Sequence, residues 1–138
     1  MNQPTIDILI VDDDEVDREI MRRFLPDHYH VREASLGLAA LSLVKAHRPD
    51  CILLDWFLTD IEGQKLVHRF SKIGIPVIVL TGVPKAQIVL EAMQQGAQDF
   101  LLKDDLSRGI LVQAITDAIG AAVEPQQEET VSLAAKVA

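Results

Sequence analysis

Five short apolar runs punctuate the chain, with amphipathic stretches between them. The runs are 6–11 (IDILIV), 31–34, 51–54 (CILL), 77–80 (VIVL) and 100–102. The first, third and fourth are almost continuously Ile, Val and Leu, as in strands covered on both faces. Between them, Val16, Ile20, Phe24 and Leu25 recur at helical spacing. So do Leu36, Ala40, Leu43 and Val44, behind Ser35, a residue type that caps helix starts. Leu66, Val67 and Phe70 form a third, shorter stripe. Pro84 suits the first turn of a fourth helix and Gly96 its end. Leu106, Ile110, Leu111, Ala114, Ile115, Ala118 and Ile119 make the last and longest stripe. This strict alternation predicts an α/β fold, a parallel sheet with helices on both faces. The domain is expected over 6–122. A polar tail or linker stub, 123–138, follows, with Pro125 ending or kinking the helix before it.

Composition narrows the partners. The chain has 138 residues, the size of one ordinary domain. Lys and Arg number 13 against 21 Asp and Glu, a formal charge of −8, which argues against nucleic acid or an anionic membrane as main partner. No apolar run is long enough to span a bilayer, and the start has no secretory pattern. A lone cysteine, Cys51, makes no internal disulfide, and a cytoplasmic location is the simplest expectation. Cys51 itself reads as a small core residue. His28 and His30 read as solvated loop or strand-edge residues, and His47 and His68 as helix-surface residues.

The chemistry should lie at the carboxyl ends of the strands, where open parallel sheets bind ligands. The first run ends in Asp12, Asp13 and Asp14, the third in Asp55, the fourth in Thr81 and Gly82, the fifth in Lys103, Asp104 and Asp105. Any one of these could be incidental, since acidic residues also suit a helix start. For Asp14 and Glu15 that plainer reading is the better one. Three converging carboxylates, Asp12, Asp13 and Asp55, would repel one another, and a hard divalent cation such as Mg²⁺ relieves this. Lys103 adds a positive point charge and Thr81 a hydroxyl. Together these are the parts for moving a phosphoryl group onto a carboxylate.

At this point the sequence resembles the receiver domain of two-component response regulators. The segments ILIVDDDEVDREIMRRFL, PDCILLDWFLTDIEGQKLV, IPVIVLTGVPKAQIVLEAMQQGA and QDFLLKDDL carry the resemblance, in the right order and spacing. It implies a flavodoxin-like sheet in the order 2-1-3-4-5. It implies that Asp55 accepts a phosphoryl group from a histidine kinase or phosphotransfer protein. It further implies that Asp12, Asp13, Asp55 and the Phe57 backbone carbonyl hold Mg²⁺. Thr81 and Lys103 would bind the phosphoryl group, and Phe100 would be the aromatic switch. Output would pass to a downstream protein or domain through the face of the fourth helix, fifth strand and fifth helix, with a homodimer left open. The sequence departs from the family pattern in three places. Asp104 follows the lysine where proline is usual, so that loop either carries a strained cis bond or takes another path. Thr59 stands at another position where proline is usual. Phe100 has no hydroxyl, so its switching can only be a packing change. Phe57 and Val83 flank the expected phosphoryl position. Both are apolar and neither can orient a water, so slow self-hydrolysis is expected.

Two other readings compete. A haloacid-dehalogenase-like phosphohydrolase would use Asp12 as nucleophile, since Asp12-Asp13-Asp14-Glu15-Val16 formally fits its first motif. The chain is short for the usual cap, and Asp55 would then have no task. A degenerate receiver would keep the fold and signal by binding alone, but the intact acidic set argues against it. A dinucleotide site is disfavoured, because no G-x-G-x-x-G follows the first run.

Overall fold

The computed structural model describes residues 5–123. Strands β1 (Asp7–Val11), β2 (His30–Ala34), β3 (Cys51–Asp55), β4 (Val77–Thr81) and β5 (Asp99–Leu102) alternate with helices α1 (Glu15–Phe24), α2 (Gly37–Ala46), α3 (Gly63–Lys72), α4 (Ala86–Gln94) and α5 (Arg108–Val123). All strand pairs are parallel, in the order β2-β1-β3-β4-β5. The expected tail falls outside the described residues beyond Val123. No helix among the described residues is long and apolar enough to cross a membrane.

The period of two in a strand sorts the apolar runs into two cores. Leu9, Val11, Ile52, Leu54, Val77 and Val79 face Ala40, Leu66, Phe70, Ile88 and Ala92 from α2, α3 and α4. Their neighbours Ile8, Ile10, Cys51, Leu53, Ile78 and Leu80 face Met21, Leu25, Leu111, Ala114 and Ile115 at the α1 and α5 side. The three central strands are therefore buried on both faces, which is why they lack polar alternation. Cys51 is one of these core residues, and burial pushes its thiol up to about 12.

Several local expectations need correction. In the expected α1 stripe, Val16 and Ile20 are exposed, while Leu25, which follows the helix, is buried as expected and Met21 is buried with it. Asp14 caps this helix, its carboxylate accepting from the Val16 and Asp17 amides. Ser35 does not cap α2. The N-cap is Leu36, and the Gly37 and Leu38 amides donate to Asp60 across the fold, each at 2.9 Å. Those bonds hold the Asp60 carboxyl below its ordinary range. Pro84 precedes the α4 cap residue Lys85 and is not within the first turn. His47 ends α2 and pairs with Asp7, which also takes His30.

Glycines matter at two positions. Gly96 follows α4 with φ of +106°, the left-handed conformation that closes helices. A side chain on Gly63 would lie 2.5 Å from the Trp56 carbonyl oxygen. The start of α3 can therefore press against the residue that follows Asp55.

Candidate functional site

The site forms where β1, β3, β4 and β5 end together. Asp12 directly follows β1, its amide donating to the Ala34 carbonyl at 3.0 Å. It is fully buried. Its Oδ1 accepts from the Asp14 amide at 2.9 Å, and its Oδ2 lies 2.8 Å from Lys103 Nζ. That second contact is an ion pair without hydrogen-bond alignment, so Oδ2 keeps an unused acceptor direction in a buried place. Asp13 is exposed beside it. Asp55 closes β3, 5 % exposed, its Oδ1 accepting from the Phe57 amide at 3.3 Å and lying 3.6 Å from Lys103 Nζ. One oxygen from each of Asp12, Asp13 and Asp55 lies within 4.8 Å of the others.

Electrostatics follow from this crowding. Burial, then the Asp12 charge, push the Asp55 carboxyl up to about 6, with Lys103 and the Phe57 amide working against them. Burial also raises Asp12, partly offset by Lys103. Lys103 experiences the reverse balance. Burial would lower it, but Asp12, Asp17 and Asp55 together hold it above its ordinary value.

Lys103 opens a short 3-10 turn, Lys103–Asp105, and no peptide bond among the described residues is cis. Of the two paths open to a lysine without a following proline, the chain takes the unstrained one. Thr81 is fully buried at the end of β4. Its hydroxyl accepts from the Val83 amide at 3.1 Å. Val83 and Phe100 are partly buried against the α2, α3 and α4 core. Phe57 is 52 % exposed, unlike the buried Trp56 before it. The residues named from the sequence thus lie at the ends of neighbouring strands or on the loops leaving them. Direct contacts tie together Asp12, Asp55 and Lys103, and Asp13 lies alongside.

Sequence reading missed two residues that touch this cluster. Asp17 Oδ2, on α1, lies 2.8 Å from Lys103 Nζ. The signal was present: Asp17 stands one turn before the buried Met21, on the inward face of α1. Arg18 also went unnoticed. Its guanidinium donates to the Asp12 carbonyl at 2.8 Å and pairs with Glu33. Asp17→Asn should release part of the hold on Lys103. The expected result is faster reductive methylation of the Lys103 amine, mapped by mass spectrometry. An unchanged rate would mean that Asp12 and Asp55 hold the lysine by themselves.

Known proteins resemble this chain in sequence and in fold. The family model for the response regulator receiver domain matches residues 8–116, and the chain belongs to that family. The transcriptional regulatory protein NarL of Mycobacterium tuberculosis is 39 % identical over 89 residues, covering 63 % of this chain and 41 % of that protein. The response regulator MprA of a Mycobacterium species is 34 % identical over 99 residues, covering 70 % and 43 %. The chain thus spans about two-fifths of the length of these relatives. Among solved structures, the signal receiver domain of a NarL response regulator from Mycobacterium tuberculosis superposes with a TM-score of 0.78 at 32 % identity, covering 86 % of this chain and 98 % of that one. A response regulator from Chloroflexus aurantiacus gives 0.79 at 27 %, covering 85 % and 99 %. The chain is accordingly a two-component signalling domain.

Proposed function

We propose that this receiver accepts a phosphoryl group on Asp55 from a histidine kinase or phosphotransfer protein and relays the change to a protein partner. The observation that carries the reading is the Asp12–Asp55–Lys103 cluster at the strand ends, with Asp13 alongside. The donor set suits a hard divalent cation, since it offers three carboxylates and one buried oxygen with an unused acceptor direction. Asp12, Asp13, Asp55 and the Phe57 carbonyl would hold Mg²⁺. When bound, it would supply charge neutralisation at the phosphoryl oxygens. The chain's own residues do the rest. An Asp55 oxygen attacks phosphorus, the bond to the donor breaks, and Lys103 and Thr81 take the phosphoryl oxygens as charge gathers there.

Once attached, the group adds roughly −1.5 to −2 charge beside Lys103 and Thr81. Thr81 gives up its local bond to Val83, and Phe100 repacks in the space behind it. The α4–β5–α5 face is the surface this reaches, since Phe100 lies on β5 and shares a cavity wall with Val89 and Ile110. The domain acts over 6–122 as a signalling module, and its only chemistry is on its own side chain. With Phe57 and Val83 unable to orient a water, loss of the group is slow. The phosphohydrolase alternative needs Asp12 as nucleophile, and it would leave Asp55, at the end of β3 and 3.6 Å from Lys103, without a task.

The test is intact mass after incubation with acetyl phosphate, with and without Mg²⁺. One phosphoryl mass should appear only with Mg²⁺, and should be absent from Asp55→Asn. Labelling that survives in Asp55→Asn but is lost in Asp12→Asn would favour the alternative. No labelling in any form would leave a receiver that signals by binding alone.

A further inference from the structure

Charge is distributed unevenly over this acidic chain. The stretches 36–49 and 63–77, which contain α2 and α3, hold no Asp or Glu, although the chain has 21 of them and a net charge of −8. The same stretches carry Lys45, Arg48, Lys65, Arg69 and Lys72. Elsewhere several cations have partners: Arg18 and Arg22 share Glu33, Arg23 meets Glu19, and Lys103 has Asp12 and Asp17. Among the described residues, Lys45, Arg48 and Arg69 make neither an ion pair nor a side-chain hydrogen bond.

These three cations line a cavity of about 420 Å³ between α2 and α3. Its apolar lining includes Leu41, the almost fully buried Phe70 and Ile73, which is 52 % exposed. An apolar pocket lined also by unpaired cations is complementary to an apolar side chain flanked by carboxylates. Binding it would break no internal ion pair. A nucleic acid duplex suits the site poorly, because the whole chain repels it and its backbone has no apolar group for the pocket.

We propose that the α2–α3 groove docks an acidic peptide segment of a partner protein. One apolar side chain of the segment enters between Leu41 and Phe70, and its carboxylates meet Lys45, Arg48 and Arg69. The surface lies on helices other than α4 and α5 and does not use Asp55, so it stands or falls independently of the phosphorylation reading.

The probe is a synthetic peptide, acetyl-Glu-Glu-Leu-Glu-Glu-Phe-Glu-amide, titrated into the ¹⁵N-labelled full chain, with a twin carrying Lys for every Glu. Saturable shifts confined to α2, α3 and the turns that follow them are expected for the acidic peptide alone. Arg48→Glu with Arg69→Glu should weaken binding at least about tenfold, while Lys65→Glu, off the cavity, should stay within about twofold. Both arginines are exposed, and the amide spectrum itself reports whether the double variant is folded. No saturable shift by ~1 mM peptide, equal binding of the lysine twin, or undiminished binding by the double variant would overturn the proposal. So would a rise of about fivefold or more in peptide affinity in Glu128→Lys with Glu129→Lys, which would mean that the chain's own acidic segment covers the groove.

Discussion

Lys103→Met should lose roughly 2–4 kcal/mol of stability in the presence of EDTA and regain most of it when Mg²⁺ is added. Among the described residues, Lys103 is the one cation in contact with the carboxylates of Asp12, Asp17 and Asp55, at 2.8, 2.8 and 3.6 Å. Removing it leaves Asp12, fully buried, and Asp55, almost so, facing each other with no counter-charge. Breaking a buried pair from one side is costly because the surviving charge stays out of water. The range is set slightly below the usual one because the Lys103 side chain is 18 % exposed. A divalent cation bound by the same carboxylates replaces the lost charge, and at one hundred times its dissociation constant contributes about 2.7 kcal/mol. Urea titration of both proteins, with and without Mg²⁺, measures this. If the variant is as stable as the parent in EDTA, the lysine is not what holds the cluster together.

Asp55→Asn should move stability the other way, by about 1–3 kcal/mol at pH 7 without divalent cation. The Asp55 carboxyl is pushed from 3.8 up to about 6, first by burial and then by Asp12. Between those values the folded chain keeps a proton that the unfolded chain gives up. Stability therefore falls as pH rises through that window and remains lowered above it. Asparagine has no charge to bury, so the variant escapes the loss. The gap between the two proteins should close as pH is lowered from 7 toward 4. Urea midpoints at several pH values in EDTA test the sign directly. Parent and variant curves that stay parallel across the window would show that Asp55 does not carry the strain.

The fold was legible because its strongest signals are periodic. The runs at 51–54 and 77–80 have no polar interruption, as expected of strands covered on both faces, and their residues do divide alternately between the two cores. The candidate site was legible for a related reason. Parallel strands end on one edge, so Asp12, Asp55, Thr81 and Lys103 could be placed together without knowing a single contact. What stayed hidden depends on rotation and on non-local partners. Asp14 was legible as the start of α1, but the rotation that buries Met21, sets Asp17 against Lys103 and leaves Val16 in solvent comes from packing against the rest of the fold. Ser35 was the natural cap by composition, but Asp60, 23 residues from Gly37, took the amides. Local propensity does not anticipate such a partner.

That non-local bond has a consequence for how parts of the domain open and close. Helix α2 has no side-chain cap of its own, and Asp60 sits on the loop that follows Asp55 and leads to α3. Amide hydrogen exchange at Gly37 and Leu38 should then follow the opening of that loop and not the fraying of α2, making the two a single cooperative unit. Whatever tightens the chain after Asp55 slows exchange at the start of α2, on the far side of β1 from the loop that carries Lys103.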